Sequence, residues 1–255
     1  MRAWAVFKKE MRLYFASPIA YAVLAIFAVI AGWFFYNVFA FYSLVSMRAA
    51  TNPMMARNLS VAEGVLRPLF HNISVIMLLM MPILTMRLFA EEKKSGTIEL
   101  LLTYPVRDGE VLVGKYLAAL AVFVGMLSLT LVYPALVAWT TEVEPGPLLA
   151  GYLGLLLQGA AFIAVGLLIS SLTENQIVAA VATFGTLLIF WVISWAADSA
   201  GATLGRVLSH LSLTEHFEAF AKGVIDTKDV IYYLNLIILS LFLTMRSLEA
   251  KRWRG

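Results

Sequence analysis

Six stretches of sixteen or more residues carry no Asp, Glu, Lys or Arg: Leu13 to Met47, Pro68 to Met86, Tyr116 to Thr141, Pro145 to Thr173, Asn175 to Ala197 and Val230 to Met245. A helix needs roughly 20 mainly apolar residues to cross a ~30 Å hydrocarbon core, and the strict alternation of a transmembrane barrel is absent. Only 14% of the 255 residues are charged and 61% are hydrophobic, against about 25% charged in ordinary soluble domains. A soluble fold of this length has too little interior to hide so much apolar surface. The expectation is a single-domain, all-α integral membrane protein with six spans near 19–42, 69–90, 114–140, 148–171, 176–197 and 229–248. The last stretch is short and spans only if Arg246 snorkels its head group to the interface.

Six spans place both termini on one side. That side carries 13 of the 19 Lys and Arg, and the positive-inside rule then makes it cytoplasmic, with the segments near 87–115 and 170–176. The chain is expected in the cytoplasmic (inner) membrane, multi-pass. Before the first span, Trp4, Phe7, Met11, Tyr14 and Phe15 share one arc of a helical wheel and Arg2, Lys8, Lys9 and Arg12 the rest. This predicts an interfacial helix over 1–17, ended at Ser17-Pro18. Outside, 43–67 reads as a partly helical loop. A second extracytoplasmic loop, 198–228, holds one short amphipathic helix with Phe217 and Phe220 on a face, Gly223 as its stop and Asp226 as N-cap of the last span.

Several chemistries are excluded. There are no cysteines, hence no disulfides or thiolate sites. Gly109 to Lys115 has the spacing G-x-x-x-x-G-K, but Tyr116 stands where a Mg²⁺-ligating Ser or Thr is required and the segment opens a membrane helix. No hydrolase or zinc-protease motif occurs. His210, Glu215, His216 and Glu218 lack the i,i+3 or i,i+4 histidine spacing of a helical metal site. The small net charge of +3 gives no reason to expect nucleic-acid binding. Polar residues in or beside spans, His71, Asn72, Gln158, Glu174 and Asn175, are candidates for a substrate pathway; the alternative is that they bond across helices. Gly151, Gly154, Gly159, Ala160, Ala161, Ala164 and Gly166 mark a close helix interface in the fourth span, either within the chain or with a second copy.

Between the second and third spans lies EEKKSGTIELLLTYPVRDGEVLVGKYLAAL, Glu91 to Leu120. Ile98, Leu101 and Leu102 put an apolar face on a short helix ended by Pro105, which suits either a docking surface or a helix lying on the membrane. Here the sequence resembles the permease subunits of type-2 ABC exporters, nearest the branch associated with gliding motility and copper-enzyme maturation. The resemblance rests on Glu91/Glu92, Gly96-Thr97, Glu99, Leu101-Leu102, Pro105-Val106 and Gly114-Lys115, supported by Lys8 to Val23 as the family's amino-terminal connecting helix and His216 to Leu234 as its outer loop.

The resemblance implies a non-enzymatic permease subunit of an ATP-driven exporter, paired with a second copy or a paralogue and joined to cytoplasmic ABC ATPase subunits. ATP and Mg²⁺ would belong to those partners, with no cofactor in this chain. The segment 91–104 would be the coupling helix, with Glu91, Glu92, Gly96, Thr97, Glu99, Leu101, Leu102, Tyr104 and Pro105 at the ATPase contact. Cargo would be lipid-like, polymeric or peptide, and the modest outer region leaves room for an auxiliary periplasmic subunit. Pro82 would kink the second span as the coupling helix moves. The rival expectation is a mechanical role, in which an ATPase drives an extracytoplasmic assembly and no solute moves.

Overall fold

A computed structural model describes residues 2–49, 60–97, 107–141, 143–197 and 201–252, and every element among them is helical. In chain order they are α1 (Arg2–Ala16), α2 (Pro18–Ala49), a π-turn (Ala62–Leu66), α3 (Arg67–Thr85), α4 (Arg87–Lys94), α5 (Asp108–Leu129), α6 (Val132–Thr140), α7 (Pro145–Leu172), α8 (Gln176–Ala197), α9 (Gly201–Leu211), α10 (Leu213–Ala221) and α11 (Thr227–Arg252). Six apolar spans result: Pro18–Ala49, Ala62–Lys94, Asp108–Thr140, Pro145–Leu172, Gln176–Ala196 and Thr227–Ala250. The protein is an all-α integral membrane protein.

The helices overrun the uncharged stretches. The second span begins seven residues before residue 69, in the π-turn, and ends at Lys94 inside the segment assigned to the coupling helix. The third starts at Asp108 rather than 114, with a reciprocal cap in which the Glu110 side chain accepts from the Arg107 N–H at 3.1 Å. Charged residues flank these helices without ending them, because a long helix end can stand in the head groups. The described part of 198–228 holds two helices, α9 and α10, where one was expected.

Spans two and four form the centre: 72% of each apolar window is buried, against 17% for spans five and six. The fourth span, α7, packs against α3, α5, α8, α10 and α11. Its glycines make that possible. A methyl at Gly159 would lie 2.2 Å from Phe123 Cζ, and one at Gly154 would lie 2.5 Å from Phe220 Cβ. The small-residue stripe therefore seats helices of this chain.

The two ends of the bundle are built differently. At the far end, opposite the termini, α10 buries Phe217 and Phe220, and Gly223 (φ +85°) turns the chain after it. Asp226 Oδ1 accepts the Lys228 N–H and caps α11. His216 Nδ1 lies 2.6 Å from Asp229 Oδ1 and its ring stacks on Tyr232. Glu218 joins Arg67, His71 and Lys222 in one ionic cluster. At the other end, the terminal face, lies α1.

Candidate functional site

The amino-terminal helix lies across the start of the third span. Gly114 has no side chain there because α1 leaves no room: a methyl would meet Val6 Cβ at 2.7 Å and the Ala3 carbonyl at 2.8 Å. The face of α1 turned to the bundle is Val6, Glu10 and Tyr14, all buried, whereas Trp4 and Phe15 of the predicted apolar arc remain exposed. An acid thus sits on the inward face of a helix whose outer charges are basic.

Its partner is Lys115, which is 1% exposed. The ammonium donates to Glu10 Oε1 at 2.9 Å and to the Leu88 carbonyl at 2.7 Å, and it faces Glu92 Oε2 at 3.0 Å. Two hydrogen bonds and one ion-pair contact thus surround the nitrogen, and the Phe89 ring lies 5.2 Å from it. Burying an ammonium is tolerable only with such compensation. Glu92 is shared: its Oε1 accepts from Lys9 Nζ at 2.9 Å. Partial burial of Lys9 disfavours its charge, but the hydrogen bond and attraction from Glu92, with Glu10 nearby, hold its pKa above the usual lysine value. Two lysines and two glutamates from α1, α4 and α5 thus form a neutral, interlocked clamp.

The other side of α4 is fixed to α7. The second span keeps helical backbone through Met86, whose N–H bonds the Pro82 carbonyl at 2.9 Å, and an interruption of its hydrogen-bond ladder follows in the next turn. It lies where the Ser170 hydroxyl of α7 enters the ladder, accepting the Phe89 and Ala90 N–H groups at 3.1 Å each and donating to the Met86 carbonyl at 2.9 Å. A side chain inserted this way is an established cause of a helix break, and it satisfies backbone groups that lipid could not. Lys93 donates to the Ser171 carbonyl. Tyr14 of α1 donates to the Leu84 carbonyl at 2.9 Å, and Arg87 lies 4.8 Å over its ring. The helix leaving the second span is therefore held by α1, α5 and α7 at once.

After α4, Ser95 and Gly96 turn the chain, Gly96 at φ +70°. The Ser95 hydroxyl donates to the Glu91 carbonyl at 2.9 Å and lies 2.8 Å from Thr97 Oγ1. Glu91, Glu92, Gly96 and Thr97 therefore sit at the exit of the clamped helix. Glu99, Leu101, Leu102, Tyr104 and Pro105, with Ile98, lie outside the described residues.

The polar candidates within the spans are dispersed. Ser74 donates to Gln158 Oε1 at 2.9 Å, a fully enclosed bond between the two central spans. His71 is at the far end, with Nε2 3.0 Å from Glu218 Oε2, and Asn72 is half-buried beside it. Asn175 caps α8 by accepting the Ile177 N–H at 2.9 Å, and Glu174 is exposed in the same turn. These five do not converge on one path. Among the described residues no group of three or more His, Asp or Glu is arranged to hold a metal.

Glu10, Lys9, Lys115 and Ser170 were not singled out from the sequence as one site. One signal was available, Glu10 as the only acid in the helix expected over 1–17; Lys115 borders the uncharged stretch and proves internal only because α5 starts at Asp108.

No curated protein matches the chain. The family of ABC-2 family transporter proteins matches residues 4–247, nearly the whole length and including α1, the clamp and both ends of the bundle. The chain belongs to the ABC-2 transporter family, as a membrane permease subunit of an ABC transporter.

Proposed function

We propose that this permease works as an exporter subunit whose separate cytoplasmic ATPase docks on the segment 91–105, and that the clamp transmits the ATPase's movement to the bundle. The observation that carries this is the continuity from the docking segment into α4, and from α4 through Lys115 and Ser170 into spans three and four. A helix tethered on one side only would swing when pushed. This one is tied to three neighbours, so a push at Glu91 to Thr97 moves α3 and α7, the two most enclosed spans, as a unit. The terminal face is then cytoplasmic, in keeping with its 13 basic residues. A second copy or paralogue completes the translocation path, and ATP and Mg²⁺ act in the partner. Cargo is lipid-like, polymeric or peptide, since the enclosed spans offer the Ser74–Gln158 pair and no charge at mid-depth.

Affinity purification of the full chain from its native cell tests this. The wild type is expected to retain a P-loop ATPase, and Leu101→Arg with Leu102→Arg is expected to lose it while remaining folded. An ATPase retained equally by both, or by neither, contradicts the docking role.

A further inference from the structure

Beside the clamp, on the terminal face, is a pocket of about 570 Å³ between α1 and the ends of spans one, two and five. Its walls carry three cations, Lys9, Arg87 and Lys115, and three anions, Glu10, Glu91 and Glu92. The clamp neutralises four of them. Two remain. Arg87 lies over the Tyr14 ring and Glu91 is exposed, and among the described residues neither makes an ion pair. They are four positions apart on α4, a spacing at which Arg and Glu commonly pair, yet the guanidinium is drawn to Tyr14 instead. The rim is apolar: Leu13 is 48% and Ile19 47% exposed, Ile19 in the first turn of span one.

We infer that this pocket binds the head group of a zwitterionic phospholipid bearing a primary ammonium, with its phosphate on Arg87 and its ammonium on Glu91. One helical turn separates the two side chains by about 6 Å along the axis, the scale of the phosphate-to-amine spacing in an ethanolamine head group. Guanidinium and phosphate form strong charge-assisted hydrogen bonds, and a primary ammonium donates to a carboxylate in a way that a quaternary one does not. The pocket lies where the apolar spans end, the depth of lipid head groups, and Leu13 and Ile19 are placed to meet the acyl chains. Phosphatidylglycerol would satisfy Arg87 through its phosphate but offer no cation to Glu91. The bound lipid would brace α1 against α4 from the open side of the clamp. The inference needs only the membrane setting; Glu91 also begins the proposed docking segment, so the test uses the chain free of ATPase.

The test uses the full-length chain in detergent with equal amounts of phosphatidylethanolamine, phosphatidylcholine and phosphatidylglycerol, the retained lipid being identified by native mass spectrometry. The wild type is expected to enrich phosphatidylethanolamine. Arg87→Gln is expected to weaken its retention about tenfold, the size of one charge-assisted contact. Glu91→Gln, an exposed substitution that leaves the fold intact, is expected to remove discrimination among the three lipids. Glycerophosphoethanolamine, the head group without chains, is expected to compete poorly. Equal retention of all three lipids by the wild type, unchanged selectivity in Glu91→Gln, or competition by the chainless head group as strong as by the lipid would each overturn the assignment. So would a chain that selects no lipid and encloses Glu91 only when an ATPase is bound, which would give the pocket to a protein contact.

Discussion

Lys115 Nζ and Glu10 Oε1 lie 2.9 Å apart across 105 residues of chain, both side chains almost closed to solvent. The pair fixes the amino-terminal helix on the third span, and Glu92 extends it to the helix that leaves the second. Lys115→Met would remove the buried cation and leave Glu10 and Glu92 only the half-exposed Lys9. Removing one partner of a buried ion pair costs about 3–5 kcal/mol. The expected result is a loss of that order in unfolding measurements in lipid nanodiscs, with Glu10→Gln added to Lys115→Met recovering a substantial part. Strictly additive losses would show that the two side chains are not coupled.

The Ser170 hydroxyl serves three backbone groups at the break in the second span. Ser170→Ala leaves them without a partner, at about 1–3 kcal/mol for a buried group so exposed. Hydrogen exchange at the Phe89 and Ala90 amides should quicken, and Ser170→Thr, which keeps the hydroxyl, should hold their protection closer to the wild type. Unchanged exchange in Ser170→Ala would place the support of α4 elsewhere.

Much of the architecture was legible because the bilayer imposes a simple rule. Uncharged stretches long enough to span gave six helices, and Ser17-Pro18, Gly223 and Asp226 punctuate them as local backbone chemistry requires. The ends were less legible: Lys94 and Asp108 remain helical, since charge at a head-group level does not stop a helix. The site was harder still. Lys115 stood in view as part of a Gly-Lys motif, but its meaning depends on Glu10, which only folding brings near. The hydrogen bonds that α4 makes to Ser170 were illegible too, since that residue lies in another span.

Gly159 of α7 and Gly125 of α5 differ by what stands opposite them. Gly159→Ala would drive a methyl into Phe123, whereas at Gly125 a methyl meets nothing within 4 Å. Overpacking of this kind costs about 1–3 kcal/mol. Gly159→Ala should lower the thermal midpoint and Gly125→Ala should leave it within error, and Phe123→Leu should partly restore the former. Equal effects at the two glycines would contradict the packing assigned to α7.

At the far end, burial of Glu218 opposes its ionisation, but hydrogen bonds from Lys222 and Arg67 outweigh this and hold its pKa below the ordinary glutamate value. A carboxylate shifted down in the folded state contributes stability above its unfolded pKa of about 4.3. That contribution is lost as pH falls through the lower folded value. The Glu218 contribution to the protection of α10 should therefore be fully present well above the unfolded pKa and decline in acid solution below it. Glu218→Gln should remove that acid limb, and an unaltered limb would assign it to another group.

An ATPase seated on the chain leaving α4 would shield it, and the absence of cysteine makes a direct measurement available. Thr97→Cys places a single thiol on the exposed turn beyond the clamp. Its labelling by a maleimide would be compared in the purified chain and in the native complex, in the same lipid. Labelling in the complex is expected to fall about tenfold or more, the protection of a site occupied nine-tenths of the time by a partner. Equal labelling in the two preparations would contradict ATPase docking there.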